Sequence, residues 1–288
     1  LISWEYVSVL MTGEGAETGE VWECPAFFPL GDKHVLLISI LPRAGTLYYV
    51  GRFDGEHFSA DYRGILDYGL YFYAPQTLLD QTGRRIMLGW IWEGRSEEAQ
   101  KAAGWAGIQS LPRQLTLRDD GYLTIEPVQE LQRLRGRHIH QNEVTIQSDK
   151  GFDLGLCGKA LEIIIELGAD TSAVLGLKLF CSPDGEEQTI LLLDPKTGEI
   201  VVDRSRSSIT TTSDTEKQVG QVEPLTCGKY ELHVFLDQSV IEMFVNRQSC
   251  LTSRVYPSRS DSEQVHLFTI EGDVTLKAID IWELSSVW

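Results

Sequence analysis

Phe72-Tyr73-Ala74-Pro75-Gln76-Thr77-Leu78-Leu79-Asp80-Gln81-Thr82-Gly83-Arg84-Arg85-Ile86-Met87-Leu88-Gly89-Trp90-Ile91-Trp92 is the stretch on which the fold turns. Two short runs, Phe72 to Leu78 and Ile86 to Trp92, flank Thr82-Gly83, a dipeptide of the kind that supplies φ > 0 in a hairpin turn. The pattern repeats on both sides of it. Val35 to Ile40, Leu47 to Val50 and Gly107 to Leu117 are apolar or alternating, and Asp54-Gly55 and Asp120-Gly121 punctuate them. Hardly any stretch holds a helical period for three turns, so the chain reads as all-β. Glu126 to Arg135 differs: Pro127 suits a first helical turn, and Val128, Leu131 and Leu134 would share one face of a short amphipathic helix.

Beyond that helix strands resume at Leu161 to Leu167, Val174 to Phe180, Thr189 to Leu193, Tyr230 to Leu236, Ser239 to Val245, Val265 to Ile270 and Val274 to Trp282. Two packed antiparallel sheets, a β-sandwich, are their natural product. Tyr230 to Phe244 should form a hairpin turning near Asp237-Gln238, with Leu232, Val234 and Leu236 on one face and Val240, Glu242 and Phe244 on another. The polar segment from Asp203 to Val219 reads as a surface loop or edge hairpin. A boundary near residue 137 gives domains of 1–137 and 138–288. At roughly 10 to 12 residues per strand and turn, the first holds about twelve strands, or three four-stranded propeller blades. Propellers close with at least four blades, so the first domain reads as a partial propeller whose open edge is covered by self-association or by a preceding segment.

Lys and Arg number 25 against 42 Asp and Glu, a formal net charge of −17. Neutralising phosphates requires a basic face, which sets nucleic acid aside. No apolar run approaches the roughly 18 residues of a membrane span, the longest being Val35 to Leu41, so no membrane partner is expected. Five cysteines, Cys24, Cys157, Cys181, Cys227 and Cys250, are odd in number and irregularly spaced. That fits neither a disulfide framework nor paired zinc ligands and suggests free thiols in a reducing compartment. Neither Asn142 nor Asn246 begins a glycosylation site, and Leu1-Ile2-Ser3-Trp4 opens no signal peptide, so a cytoplasmic location is expected over secretion. Without an initiator Met, the chain is expected to begin inside a longer protein.

Dinucleotide, phosphate-loop, HExxH, GxSxG and calcium-loop signatures are absent, and no cofactor is expected. His138 and His140 alternate along one strand face as metal ligands do, but without a third ligand nearby they read as surface residues, and no metal is expected. The unusual carboxylate is Glu23, in Val21-Trp22-Glu23-Cys24-Pro25-Ala26-Phe27-Phe28-Pro29. Apolar surroundings disfavour ionisation and bring a Glu toward the proton affinity a general acid needs. Pro25 should push Cys24 toward an extended conformation and Pro29 should end the run, leaving a stiff segment. Taken alone, an isolated Glu in an aromatic-rich strand reads as structural.

Trp22-Glu23-Cys24-Pro25, Tyr73-Ala74-Pro75-Gln76-Thr77, Gly89-Trp90, Gly104-Trp105-Ala106-Gly107 and Ser110-Leu111-Pro112-Arg113, in this order and near these spacings, resemble glycoside hydrolase family 32, the β-fructosidases. The resemblance runs on through Glu126 to Arg135, Leu232 to Asn246 and Ser253-Arg254-Val255-Tyr256-Pro257. It implies a five-bladed propeller, of which about three blades are present, followed by a sandwich. It also implies retaining hydrolysis of the β-fructofuranosidic bond of sucrose or fructans by two carboxylates about 5 to 5.5 Å apart. Glu23 matches the general acid/base, with Cys24 beside it to hold its position or tune it. Trp22, Tyr73, Trp90 and Trp92 are candidates for the substrate wall.

Three departures stand against this. The family's nucleophile motif, Trp-x-Asn-Asp-Pro, and its Arg-Asp-Pro motif are not found, and only 22 residues precede Glu23. Ala26 and Tyr71 stand where the family often has Asp. The expectation is therefore a fructosidase whose nucleophile lies outside this chain and which is inactive alone, or else a non-catalytic carbohydrate-binding or assembly protein derived from one. None of the first domain's aspartates, most of which sit in turns, reads as a convincing substitute nucleophile; Asp67, before Tyr68-Gly69, comes nearest. Arg95 and Lys101 are the local basic residues that would favour a phosphorylated substrate.

Overall fold

The structure, a computed structural model, describes residues 2–13, 15–42, 45–148, 150–210, 213–222 and 228–287. Cys227, Thr211 and Thr212 lie outside them. The chain is all-β, a propeller-type region followed by a β-sandwich. The first sheet runs β1 (Val21–Leu30), β2 (Lys33–Leu41), β3 (Gly45–Phe53) and β4 (Phe58–Asp67), each antiparallel to the next. β2 is apolar on both faces because both are covered. Val35 and Leu37 join Phe72, Met87 and Leu115 of the next sheet, while Leu36, Ile38 and Ile40 pack with Tyr49 and Phe58 beneath Leu10 and Met11 of the leading segment.

The second sheet has the order β5 (Phe72–Leu79), β6 (Arg85–Ile91), β8 (Arg113–Leu117) and β9 (Leu123–Pro127), with β7 (Ile108–Gln109) paired to β6. The blade count differs from the length-based expectation. Residues 21–127 form nine strands and two blade-like sheets rather than about twelve strands and three blades. Strands of the first sheet run nine or ten residues, and the described residues ahead of β1 add no strand. A helix, α1 (Glu97–Ala103), also interrupts the second sheet; Ser96 Oγ caps it by accepting from the Ala99 amide at 3.3 Å, and left-handed Gly104 closes it.

The connector expected to be an amphipathic α-helix is a 3-10 turn, Gln129–Leu134. Pro127 belongs to β9, paired with Arg113, and the Val128 amide donates to the Pro112 carbonyl at 3.1 Å. Only six residues then remain before the next strand, too few for a stable α-helix.

The sandwich begins at Arg135. Its strands in chain order are β10 (Arg135–Ile146), β11 (Phe152–Asp153), β12 (Ala160–Gly168), β13 (Val174–Cys181), β14 (Gln188–Leu193), β15 (Glu199–Arg206), β16 (Gln218–Gln221), β17 (Lys229–Asp237), β18 (Val240–Val245), β19 (Ser249–Arg254), β20 (Gln264–Ile270) and β21 (Val274–Leu284). They form two six-stranded sheets, β10-β21-β12-β17-β18-β19 and β11-β20-β13-β14-β15-β16. β17 and β18 make the expected hairpin, closing with Asp237 opposite Val240. Leu232, Val234 and Leu236 join the core between the sheets. Phe235 and Phe244 face the other way and pack on Phe72 and Leu115 of the propeller region. The polar segment between β15 and β16 is an edge hairpin, and the Asp214 amide of its loop donates to the Gly94 carbonyl at 3.0 Å. Among the described residues no helix is long and apolar enough to cross a membrane, and Cys24, Cys157, Cys181 and Cys250 form no disulfide.

Candidate active site

β1 and β5, the first strands of the two propeller-type sheets, lie side by side and carry matching irregularities. Each has a bulge, between Glu23 and Ala26 in β1 and between Tyr73 and Gln76 in β5. Each bulge contains a non-glycine residue in the left-handed region, Cys24 at φ 48° and Ala74 at φ 48°, followed by Pro25 or Pro75. Cys24 is thus not extended as Pro25 suggested, because the bulge needs a turned residue to insert the extra position. Left-handed backbone costs an L-residue roughly 1–2 kcal/mol, and such strain concentrates at functional sites. Two polar contacts fix the pair: the Ala74 amide donates to Ser39 Oγ at 2.9 Å, and Gln76 Nε2 donates to the Cys24 carbonyl at 3.5 Å.

The bulges re-aim the residues ahead of them at each other. Tyr73 Oη donates to Glu23 Oε2 at 2.7 Å. Glu23 is half-buried, while Tyr73 is almost wholly buried. Burial, then the hydrogen bond to Glu23 and its charge, hold the Tyr73 phenol well above its ordinary value, so it stays a donor at any physiological pH. Trp92 lies flat on Tyr73, with ring centroids 5.3 Å apart at 2°, anchored by its Nε1 donating to the Leu70 carbonyl at 2.6 Å. Trp90 meets Trp92 edge-on at 5.9 Å and is 48% exposed. It borders a cavity of about 500 Å³ with Ala74, Gln76, Leu88 and Gly107. One carboxylate among aromatic faces is a donor set suited to a sugar ring rather than to a metal.

Glu23, Tyr73, Trp90 and Trp92 are therefore brought together, with the Cys24 thiol exposed beside them. Trp22 is not. Its Nε1 donates to the Thr18 carbonyl at 2.7 Å, and its ring packs on Tyr49, within the cluster on the opposite face of the blade, because adjacent residues of a strand alternate sides. Ser39 escaped the sequence reading, although it is the one polar residue in the run Val35 to Leu41.

Asp67 is not a free carboxylate. It is fully buried at the junction with the sandwich, accepting from Arg113 Nη1 at 2.8 Å, from the Thr252 amide at 2.8 Å and hydroxyl at 2.6 Å, and from the Gly69 amide at 2.8 Å. The same guanidinium binds Glu242 Oε2 through Nη2 at 2.6 Å. Asp54 and Asp80 accept from the amides of their own turns, Asp61 pairs with Lys33, and Asp120 pairs with Arg118. Ala26 packs into the core between the two propeller-type sheets. Tyr71 is buried, its hydroxyl taking a bond from Arg204 Nη1 at 2.6 Å and giving one to Asp214 at 2.9 Å. Arg95 is committed to Glu93 at 2.7 Å between the rings of Trp105 and Tyr256, while Lys101 is exposed on α1 beside Glu97.

Residues 1–127 match the description "Glycosyl hydrolases family 32 N-terminal domain" and residues 130–283 match "Glycosyl hydrolases family 32 C terminal"; the chain belongs to glycoside hydrolase family 32. It is 31% identical over 281 residues to a sucrose-6-phosphate hydrolase of Zymomonas mobilis, covering 92% of this chain and 53% of that protein. It is also 31% identical over 318 residues to the levanase of Bacillus subtilis, covering 100% of this chain and 46% of the levanase. A β-fructofuranosidase structure from Bombyx mori superposes with a TM-score of 0.75 at 27% identity, covering 98% of this chain and 58% of that one. The chain thus spans about half the length of the curated relatives it matches.

Proposed function

We propose that this chain is part of a retaining β-fructosidase acting on sucrose or a fructan, with Glu23 as its general acid/base. The observation that carries this reading is the 2.7 Å hydrogen bond from Tyr73 to Glu23 at the paired bulges. It fixes one carboxylate oxygen and leaves the other to reach a glycosidic oxygen. Glu23 protonates the leaving group and, in the second step, takes a proton from the incoming water. Trp90 and Trp92 offer flat apolar surface to the sugar, and Cys24 lines the entrance. The names of the relatives, sucrose-6-phosphate hydrolase, levanase and β-fructofuranosidase, support the substrate class.

The second carboxylate is supplied from outside these 288 residues. Asp54, Asp61, Asp67, Asp80 and Asp120 are each engaged in turns or ion pairs. Further blades, on the same longer chain or from a second copy, cover the face that carries exposed Leu78. The test compares the 288-residue chain with a form that includes the preceding sequence, on sucrose, inulin and levan. The short chain should release no fructose. In the longer form Glu23→Gln should lower turnover of sucrose by about 10²- to 10⁴-fold while sparing fructosides with acidic leaving groups. Turnover by the short chain that disappears in Glu23→Ala would mean that the nucleophile lies within it, and equal losses on both substrate types would make Glu23 structural.

A further inference from the structure

We propose that His138, His140 and Asp280 form a site for a divalent transition-metal ion of the zinc type on the outer face of the sandwich. His138 and His140 sit on one face of β10, the edge strand of its sheet. The register of β10 against β21 sets Asp280 directly opposite His140 and Trp282 opposite His138. This supplies the third ligand that the two histidines lack in sequence. His138 Nε2 lies 2.7 Å and His140 Nδ1 2.8 Å from the same carboxylate oxygen, Asp280 Oδ1, and the three potential ligand atoms all fall within 4.8 Å of one another.

Zinc binds His nitrogen at about 2.0–2.1 Å and carboxylate oxygen at about 2.0–2.2 Å, so tetrahedral ligand atoms stand about 3.3 Å apart. Opening the two histidine–aspartate contacts by about half an ångström is within reach of side-chain rotation and places an ion between the three groups. The His138 ring is already restrained. His138 stacks on Trp282 at 4.4 Å and 5°, and Trp282 is itself covered by the Arg135 guanidinium at 3.8 Å. That positive charge is matched by Glu162, which Arg135 binds through both Nε and Nη2 at 2.7 Å, so it does not oppose a cation. A preorganised ring lowers the ordering cost of binding. Two imidazoles and one carboxylate favour zinc, cobalt, nickel or copper over magnesium or calcium. Both histidines are exposed, so an ion can enter from solvent and keep water in its fourth position.

The experiment titrates zinc chloride into the EDTA-treated, desalted 288-residue chain by calorimetry in a non-coordinating buffer near neutral pH. Cobalt(II) is titrated in parallel, because its visible absorption reports a four-coordinate site directly. The expected result is one saturable site per chain and a cobalt spectrum. His138→Ala, His140→Ala and Asp280→Ala should each weaken zinc by at least tenfold, since ligands matter at least as much as the supporting residues whose loss costs roughly 10- to 100-fold. His57→Ala, a histidine far away in sequence in the propeller region, should leave binding unchanged. Far-UV circular dichroism of each variant separates lost ligation from lost fold, and Asp280→Ser serves where Asp280→Ala does not fold. No saturable binding at millimolar zinc, or equal affinity in a folded His138→Ala/His140→Ala double variant, would overturn the proposal.

Discussion

Arg113→Met should destabilise this protein more than any surface charge change, and the structure indicates how much. The Arg113 guanidinium has no exposed surface and donates to Glu242 Oε2 at 3.2 and 2.6 Å, to Asp67 Oδ2 at 2.8 Å and to Thr252 Oγ1 at 2.7 Å, with Phe72 and Phe244 stacked about it. Without it Asp67 keeps three donors, the Thr252 amide and hydroxyl and the Gly69 amide. Glu242 keeps only the Leu111 amide at 2.7 Å. Burial already pushes Glu242 up, with Arg113 pulling it back down, so the variant leaves a buried carboxylate that takes up a proton. Removing one partner of a buried pair costs about 3–5 kcal/mol, a large part of a total stability near 5–15 kcal/mol. In the variant the folded Glu242 binds its proton more tightly than the unfolded one. Its deficit should therefore be small below the ordinary glutamate value and grow as the pH rises above it. Urea unfolding followed by tryptophan fluorescence at pH 5 and 7.5 measures both quantities. The double variant Arg113→Met/Glu242→Leu, which removes the stranded charge, should recover most of the loss, and Lys101→Ala, from the exposed pair on α1, sets the scale of a change that does little. A deficit below about 1 kcal/mol, the range of exposed ion pairs, or a double variant no better than the single one, would refute this account of the junction.

Two further outcomes are expected. Glu187 is buried, which raises its proton affinity, but bonds from the Ser258 and Ser262 hydroxyls and the Ile209 and Ser258 amides outweigh this and hold it at about 2 against an ordinary 4.5. A depressed folded value gives stability that is present above pH 4.5 and lost as the pH falls toward 2, worth roughly 3 kcal/mol; Glu187→Gln should lower stability at pH 7 and flatten the acid limb, and an unchanged acid midpoint would contradict this. Gly107 has φ +68°, and a Cβ there would stand 2.4 Å from Trp90 Nε1, so Gly107→Ala should displace the Trp90 indole at a cost of about 1–2 kcal/mol, read as shifted tryptophan emission and a lower urea midpoint. Unchanged emission and stability would show that the indole does not rest on this glycine.

The parts of the fold that were legible are those encoded by neighbours in sequence. Alternation in Tyr230 to Val245 gave the β17–β18 hairpin and its two faces, because a period of two needs only adjacent residues. Helix α1 carries its own signals, Ser96 at the cap, Glu97 and Glu98 in the first turn and Gly104 at the end, yet it buries no residue. It therefore lacks the apolar period by which helices are recognised. The blade count failed for a similar reason: strand length is set by pairing partners across the sheet, which a fixed residue quota ignores.

The site was legible only where its chemistry is carried by residue type. Glu23 and Tyr73 stand out as a carboxylate and a phenol in apolar runs, but nothing local says that they touch. That contact depends on two bulges, one in each strand, and on Ser39 lying opposite Glu23 in the pairing of β1 with β2. A one-position slip in either strand would turn its side chain to the other face, and this is why Trp22, one residue from Glu23, packs away from the recess. The same dependence explains His138 and His140, whose third partner lies 140 residues beyond His140 in the chain and reaches them only through the register of β10 on β21. In a protein built from packed sheets a functional cluster is a property of strand registry. Residue types along the sequence nominate the members, and only the pairing of strands distant in the chain decides which of them meet.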